Sequence, residues 1–195
     1  MAEFGRKLAT ILSAVLLVCT FISCRSTAGS DHDQVVRTSI DLAQAYSESG
    51  QYARALEVYD RALLEADDYR LYYNKAIVLS NLGQNEDAAQ LCDESFMRYP
   101  NIIAFKEAQA VYLYRGGDTD AAQAVYMQIL DLNPYDRASR TALIDSLMLQ
   151  GKTDEAYNQA LIMWNQGYRD IKTAAYLYEI MPQTWENVYN TLNSK

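Results

Sequence analysis

Histidine is almost absent: the 195 residues hold one, His32. A Ser-His-Asp or Cys-His nucleophile needs an imidazole fixed in a rigid pocket, and this chain has none to place there. A zinc site built from Cys and His is not expected, since two of the three cysteines, Cys19 and Cys24, lie in the first two dozen residues. The same three cannot form a disulfide framework. Proline and glycine are scarce, at 3 and 8 copies, which leaves few punctuators for a many-turned β fold. Positive charge is short as well, with 17 basic against 25 acidic side chains and a net charge of -8. An acidic body repels phosphate backbones, so nucleic acid is excluded as a partner.

What the chain does have is apolar residues, half of the total, enough for a real core. Abundant Ala, Leu, Gln and Glu favour helix, so the expected class is all-α. The length suits one domain plus a targeting segment.

That segment comes first. Arg6 and Lys7 precede an apolar run from Leu8 to Ile22, the layout of an export signal and short for a helix that must cross about 30 Å of hydrocarbon. Residues 25–34 are polar and aperiodic, which predicts a flexible tether over 24–34, with Asp31-His32-Asp33 in it as solvated side chains. Phe21-Ile22-Ser23-Cys24 resembles a bacterial lipobox, although Leu is usual where Phe21 stands. The resemblance implies a signal peptide over 1–23 and acylation of Cys24, with palmitate among the chains added. Acyl chains contribute about 0.8 kcal/mol per buried methylene, so two or three hold a protein firmly on a bilayer. Cleavage after Ala28, at Ser26-x-Ala28, is an alternative, as is an uncleaved anchor. Cys19, preceded by bulky Val18, is the poorer candidate.

The body repeats. Gly50, Gly83, Gly117 and Gly151 recur at intervals of 33, 34 and 34 residues, and Pro100 and Pro134 are 34 apart. Leu42-Ala43-x-x-Tyr46, Gly50-x-Tyr52 and Ala55-x-x-x-Tyr59 open the series. Ala76-x-x-Leu79, Gly83 and Ala88-x-x-x-Cys92 follow, then Ala110-x-x-Leu113, Gly117 and Ala122-x-x-x-Tyr126. Leu143-Ile144-x-x-Leu147, Gly151 and Ala156-x-x-x-Ala160 complete the set. Each unit reads as two amphipathic helices joined at the glycine, with the alanines at the close crossing and large residues such as Tyr46, Tyr59 and Tyr126 between successive units. Since no unit hides its own apolar face, stacking makes the chain fold.

This pattern resembles the tetratricopeptide repeat (TPR). Departures are Lys75 and Gln109, where Leu is usual, and Asp67 and Tyr168 in place of the closing proline. The resemblance implies a TPR domain over 35–170, a right-handed α-solenoid of about four helix-turn-helix repeats (36–68, 69–102, 103–136, 137–170). A helix from about Lys172 to Ile180, stopped by Pro182, and another from Thr184 to Asn193 are read as C-terminal capping helices over 171–195. A degenerate fifth repeat is a close second reading.

Other motifs have plain readings. Gly116-Gly117-Asp118-Thr119-Asp120 lacks the Lys-Ser/Thr of a nucleotide loop and the acidic series of an EF-hand, and falls on a turn. Asp67-Asp68 and Glu86-Asp87 suit helix N-termini. Cys92 takes a buried aromatic position as an inert thiol, although an unacylated Cys24 would permit a Cys24–Cys92 disulfide. No cofactor, metal or catalytic residue is expected.

The resemblance places binding on a concave face lined by the first helix of each repeat. There Ile40, Tyr73, Ile77, Val111, Tyr114, Met148 and Leu149 form an apolar strip rimmed by Arg37, Arg70, Arg115 and Asp145, a mixture typical of interface hot spots. The implied occupant is an extended or helical peptide; cover by the C-terminal helices or a second copy is the rival, and homo-oligomerisation is left open. The expected function is a protein-binding, non-catalytic adaptor in a cell-envelope assembly, lipid-anchored to a membrane and facing the periplasm. The alternative is an oligomeric small-ligand-binding accessory protein of a membrane transporter.

Overall fold

The computed structural model describes residues 31–194. The lipobox-like segment around Cys24, the signal sequence and the first part of the tether lie outside the described residues. Helix α1 covers residues 31–48. It is followed by α2 (Tyr52–Glu65), α3 (Tyr69–Asn81), α4 (Asn85–Arg98), α5 (Ala104–Arg115), α6 (Thr119–Leu132), α7 (Arg137–Leu149), α8 (Thr153–Asn165), α9 (Ile171–Ile180) and α10 (Pro182–Asn193). The described residues contain no strand. None of their helices is long and apolar enough to cross a membrane.

One expectation is corrected at the start of α1. Residues 31–34 are helical rather than tether. Asp33 reaches Arg37, one turn on, at 2.8 Å, and Arg70 at 2.9 Å, so the polar run that reads as tether is fastened by ion pairs. His32 is helical too, and exposed.

The periodic glycines each close a helix in the same way. Gly117 has φ +90°, its N–H donates to the Tyr114 carbonyl at 3.1 Å, and the Asp118 N–H returns to Leu113 at 2.9 Å. This is a Schellman turn, which satisfies carbonyls the helix leaves unpaired. Gly167, outside the glycine series read from the sequence, repeats it with φ +98° and a Tyr168-to-Met163 bond of 3.1 Å. Glycine therefore turns the chain after α8, where earlier repeats use Tyr99-Pro100 and Asn133-Pro134.

Contacts divide the chain into two compact units, unit 1 up to Val78 and unit 2 from Leu79. In unit 1 a core of Val36, Ala43, Ala55, Tyr59, Ala62, Ala66, Leu71 and Val78 is shared by α1, α2 and α3. In unit 2 each helix from α4 to α10 packs on the next, around Val125, Ile129, Leu143, Ile144, Leu147, Met163 and Leu177. Ala55, Ala88, Ala122 and Ala156 are all fully buried, which lets paired helices approach closely.

The end of unit 2 keeps the repeat register for half a repeat. Asp136 caps α7 by accepting from Ser139 N–H at 3.0 Å, and Asp170, 34 residues on, caps α9 through Thr173 N–H at 3.0 Å. Leu143 and Leu177, also 34 apart, are both buried. Helix α9 thus keeps the register of a first helix. Its partner departs from the pattern: α10 starts at Pro182 after one non-helical residue, Met181, with no glycine turn. Pro182 occupies the first turn of α10, where its missing N–H costs nothing.

Candidate functional site

The first helices α1, α3, α5 and α7 carry the side chains proposed from the sequence. In unit 1 the charges among them are already engaged. Arg37 is held by Asp33, and Arg70 binds Asp33 through Nη2 and Asp68 through Nε, each at 2.9 Å. The Arg70 backbone N–H also donates to Asp68 at 2.9 Å. The Arg70 hydrogen bond draws the Asp68 carboxyl below the usual carboxylate range against the opposing effect of burial, and Asp68 in turn holds the Arg70 guanidinium protonated. The expected open rim of Arg37 and Arg70 is therefore corrected. Arg70 ties α1 to the start of α3, whereas Arg37 pairs only within α1 and stays exposed on the surface. Ile40 packs on the unit 1 core, Tyr73 is half-buried, and Ile77 keeps 36% of its surface exposed.

In unit 2 the apolar members on α5 are open. Val111 is 39% and Tyr114 43% exposed, one helical turn apart on α5. Arg115 is exposed, and its Nη1 reaches only the Ser80 hydroxyl, at 3.3 Å. Tyr114 and Asp145 are brought together: with Tyr126, Ala142 and Ser146 they line a cavity of about 190 Å³. Asp145 is not a free rim charge, because it accepts the hydroxyl of Tyr176 on α9. Burial, then this bond, push the Tyr176 phenol well above its ordinary range. Met148 is half-buried against the core and faces residues of α8 and α9.

Sequence reasoning missed Asp33 and Tyr176. Asp33 carried a signal, its spacing of four from Arg37. Tyr176 carried none while α9 was read as a cap rather than as a first helix in register. Of the motifs set aside, the Gly116–Asp120 segment is the α5–α6 turn, where Asp118 caps α6 through Ala121 N–H at 3.1 Å. Cys92 is fully buried, and burial pushes its thiol up to about 12.

A tetratricopeptide-repeat family model matches residues 40–98 and 107–168. The chain belongs to the tetratricopeptide-repeat family. Among solved structures it is similar to a tetratricopeptide repeat protein from Parabacteroides merdae, 16% identical, with TM-score 0.65 over 83% of this chain and 66% of that one. It is similar as well to MamA from Desulfovibrio magneticus, 16% identical, with TM-score 0.59 over 82% and 90% of the two chains. The second TPR domain of human RPAP3, in complex with an HSP70 peptide, is 18% identical, with TM-score 0.50 over 59% of this chain and 97% of that domain. At these identities the likeness is one of fold. No curated protein matches the sequence. The TPR chain is thus all-α, built of stacked helix pairs, and among the sequence-proposed apolar residues Ile77, Val111 and Tyr114 are exposed while Ile40, Tyr73 and Met148 are partly buried.

Proposed function

We propose that this TPR protein is a lipid-anchored adaptor of the bacterial cell envelope, facing the periplasm and binding a partner polypeptide on its first-helix face. The observation that carries the reading is the exposure of Val111 and Tyr114 on α5 beside the Tyr114–Asp145 cavity. Aromatic and branched side chains turned to solvent beside a cavity mark contact surfaces. The RPAP3 domain, of the same fold, is known with a bound peptide. Membrane attachment rests on the lipobox-like Phe21-Ile22-Ser23-Cys24, whose acyl chains would keep the partner's search close to the bilayer.

A photo-crosslinking amino acid at Val111, expressed in cells, is expected to trap a discrete partner that the same probe at Gln128, exposed on α6, does not trap. Equal trapping at both positions, or none at Val111, removes the adaptor reading. The anchor is tested separately by radioactive palmitate, which should label the native chain and not Cys24→Ser.

A further inference from the structure

The last residues of α7 and α9 flank a cavity of about 590 Å³. Met148 of α7, Tyr157 and Asp154 of α8, and Glu179, Ile180 and Met181 at the close of α9 line it. The apolar part of this wall is held in place. Met148, Tyr157 and Ile180 pack on the unit 2 core, and the Tyr157 hydroxyl accepts the Trp185 indole N–H at 3.3 Å. Thioether side chains fit themselves to the shape of a visitor.

Charge says what the visitor is. Every described cation from Arg137 onward is engaged away from the cavity. Arg137 pairs with Asp170, while Arg140 donates to Gln159 and to the Pro134 carbonyl. Lys152, the neighbour of this wall in sequence, is drawn off to Asp120 on α6 at 3.1 Å. Arg169 lies over the Trp164 ring and Lys172 over the Tyr176 ring. Asp154 and Glu179 are both exposed and have no cation of their own among the described residues. Glu179 stands 34 residues beyond Asp145, at the same register position of the first helix. Asp145 has Tyr176 as its donor, whereas Glu179 lacks a hydrogen-bond donor among the described residues. The C-terminal end of α9 adds its own negative partial charge. A metal ion is a poor occupant, since no group of three or more His, Cys, Asp or Glu among the described residues could hold one.

Thr153 and Asn158 complete the lining, and Asp154, in the first turn of α8, has part of its charge offset by the helix end. A hollow with an apolar wall and two carboxylates that no described cation pairs still complements a cation on a greasy stem. We propose that this cavity receives a basic side chain, arginine or lysine flanked by apolar residues, from a partner polypeptide: the stem lies along Met148, Ile180 and Met181, and the charged head meets Asp154 and Glu179. This deepens the adaptor reading by giving the partner's chemistry at one contact, and rests on that reading only in taking the occupant to be a polypeptide.

The test is methyl NMR on the full chain labelled at Met and Ile, titrated with acetyl-Leu-Arg-Leu-amide. Saturable shifts are expected at Met148, Ile180 and Met181. Affinity should fall about tenfold with acetyl-Leu-Gln-Leu-amide, and acetyl-Leu-Glu-Leu-amide should not bind. Asp154→Asn with Glu179→Gln should weaken the arginine peptide by about tenfold as well, with the other methyl resonances unmoved. Tyr114→Glu should leave its affinity unchanged, so loss of partner crosslinking and loss of peptide binding are separable failures. Equal binding of the arginine and glutamine peptides, no saturable shift, an unchanged double variant, loss of binding in Tyr114→Glu, or calcium chloride shifting the same methyls at lower concentration than the peptide overturns the proposal.

Discussion

In unit 1 the charged side chains of the first helices are occupied with one another: Asp33 gathers Arg37 and Arg70, and Asp68 takes Arg70 from the other side. In unit 2 the equivalent helices present Val111, Tyr114 and Arg115 to solvent; Lys106 and Arg137 pair with acids of neighbouring helices, Asp93 and Asp170, and Asp145 is held by a phenol rather than by a cation. The buried half of the four repeats hardly changes between the units, with alanine at the crossings and a glycine turn after α1, α3, α5 and α7. The repeat architecture therefore specifies its crossings and turns tightly and leaves the charges of the first-helix surface free to be paired differently in the two units.

The largest effects should come from the two cores and separate them cleanly. Both tryptophans, Trp164 and Trp185, belong to unit 2, so their fluorescence reports that unit. Ile144→Ala empties a fully buried site and should cost about 2–5 kcal/mol in urea unfolding followed by tryptophan emission. Leu71→Ala, equally buried in unit 1, should cost a similar amount seen through near-ultraviolet tyrosine circular dichroism. A loss below about 1 kcal/mol for either would mean that its core is looser than the packing implies.

Next in size are the turns, which ought to behave alike in both units. A Cβ built at Gly50 (φ +75°) or Gly117 (φ +90°) meets nothing within 4 Å, so alanine there is penalised by backbone strain alone. Gly50→Ala and Gly117→Ala should each cost about 1–2 kcal/mol. A marked difference between them would show that the turns, and not only the surfaces, have diverged.

Those glycines were also the most legible part of the fold. Only residues that tolerate left-handed backbone suit that turn, so their spacing revealed the repeat, the helix order and the buried alanines. The site was legible in part. Val111 and Tyr114 follow from register and are exposed, but register cannot say whether Arg37 and Arg70 face a partner or an internal acid such as Asp33. Residues 31–34 read as tether because the stabilising contact, Arg70, is distant in sequence. The cavity beside Met148 was hidden for another reason: Glu179 and Met181 lie at the end of a helix in first-helix register that no glycine turn follows.

A smaller effect should fall on unit 1 alone. Asp68 is ionised more readily in the folded chain than in the unfolded one, through its bond to Arg70. Its stabilising contribution is therefore complete above the ordinary carboxylate value of 3.8 and disappears as pH falls through the lower folded value. Asp68→Asn should cost on the order of 1 kcal/mol at neutral pH and flatten the acid limb of unit 1 unfolding. The tryptophan transition of unit 2 should not move.

The smallest effect is one on reactivity rather than stability, at a position the units share. Tyr59 follows Ala55 by four residues in unit 1, and Cys92 follows Ala88 by four in unit 2. Both are buried, and burial raises the phenol and the thiol alike to about 12. Each group keeps its proton in the fold and would release it on unfolding once pH passes its ordinary value, so each lowers stability as pH rises above that point. In a chain carrying Cys19→Ser and Cys24→Ser, a thiol reagent at pH 8 should leave Cys92 unmodified until urea opens unit 2, and the rate should follow opening rather than reagent concentration. The Tyr59 phenol should likewise stay silent at 295 nm as pH passes 10, the ordinary phenol value. Rapid labelling of Cys92 in the native chain would mean that the α4 crossing breathes where its unit 1 counterpart does not, and the likeness of the two buried halves would then hold for shape but not for dynamics.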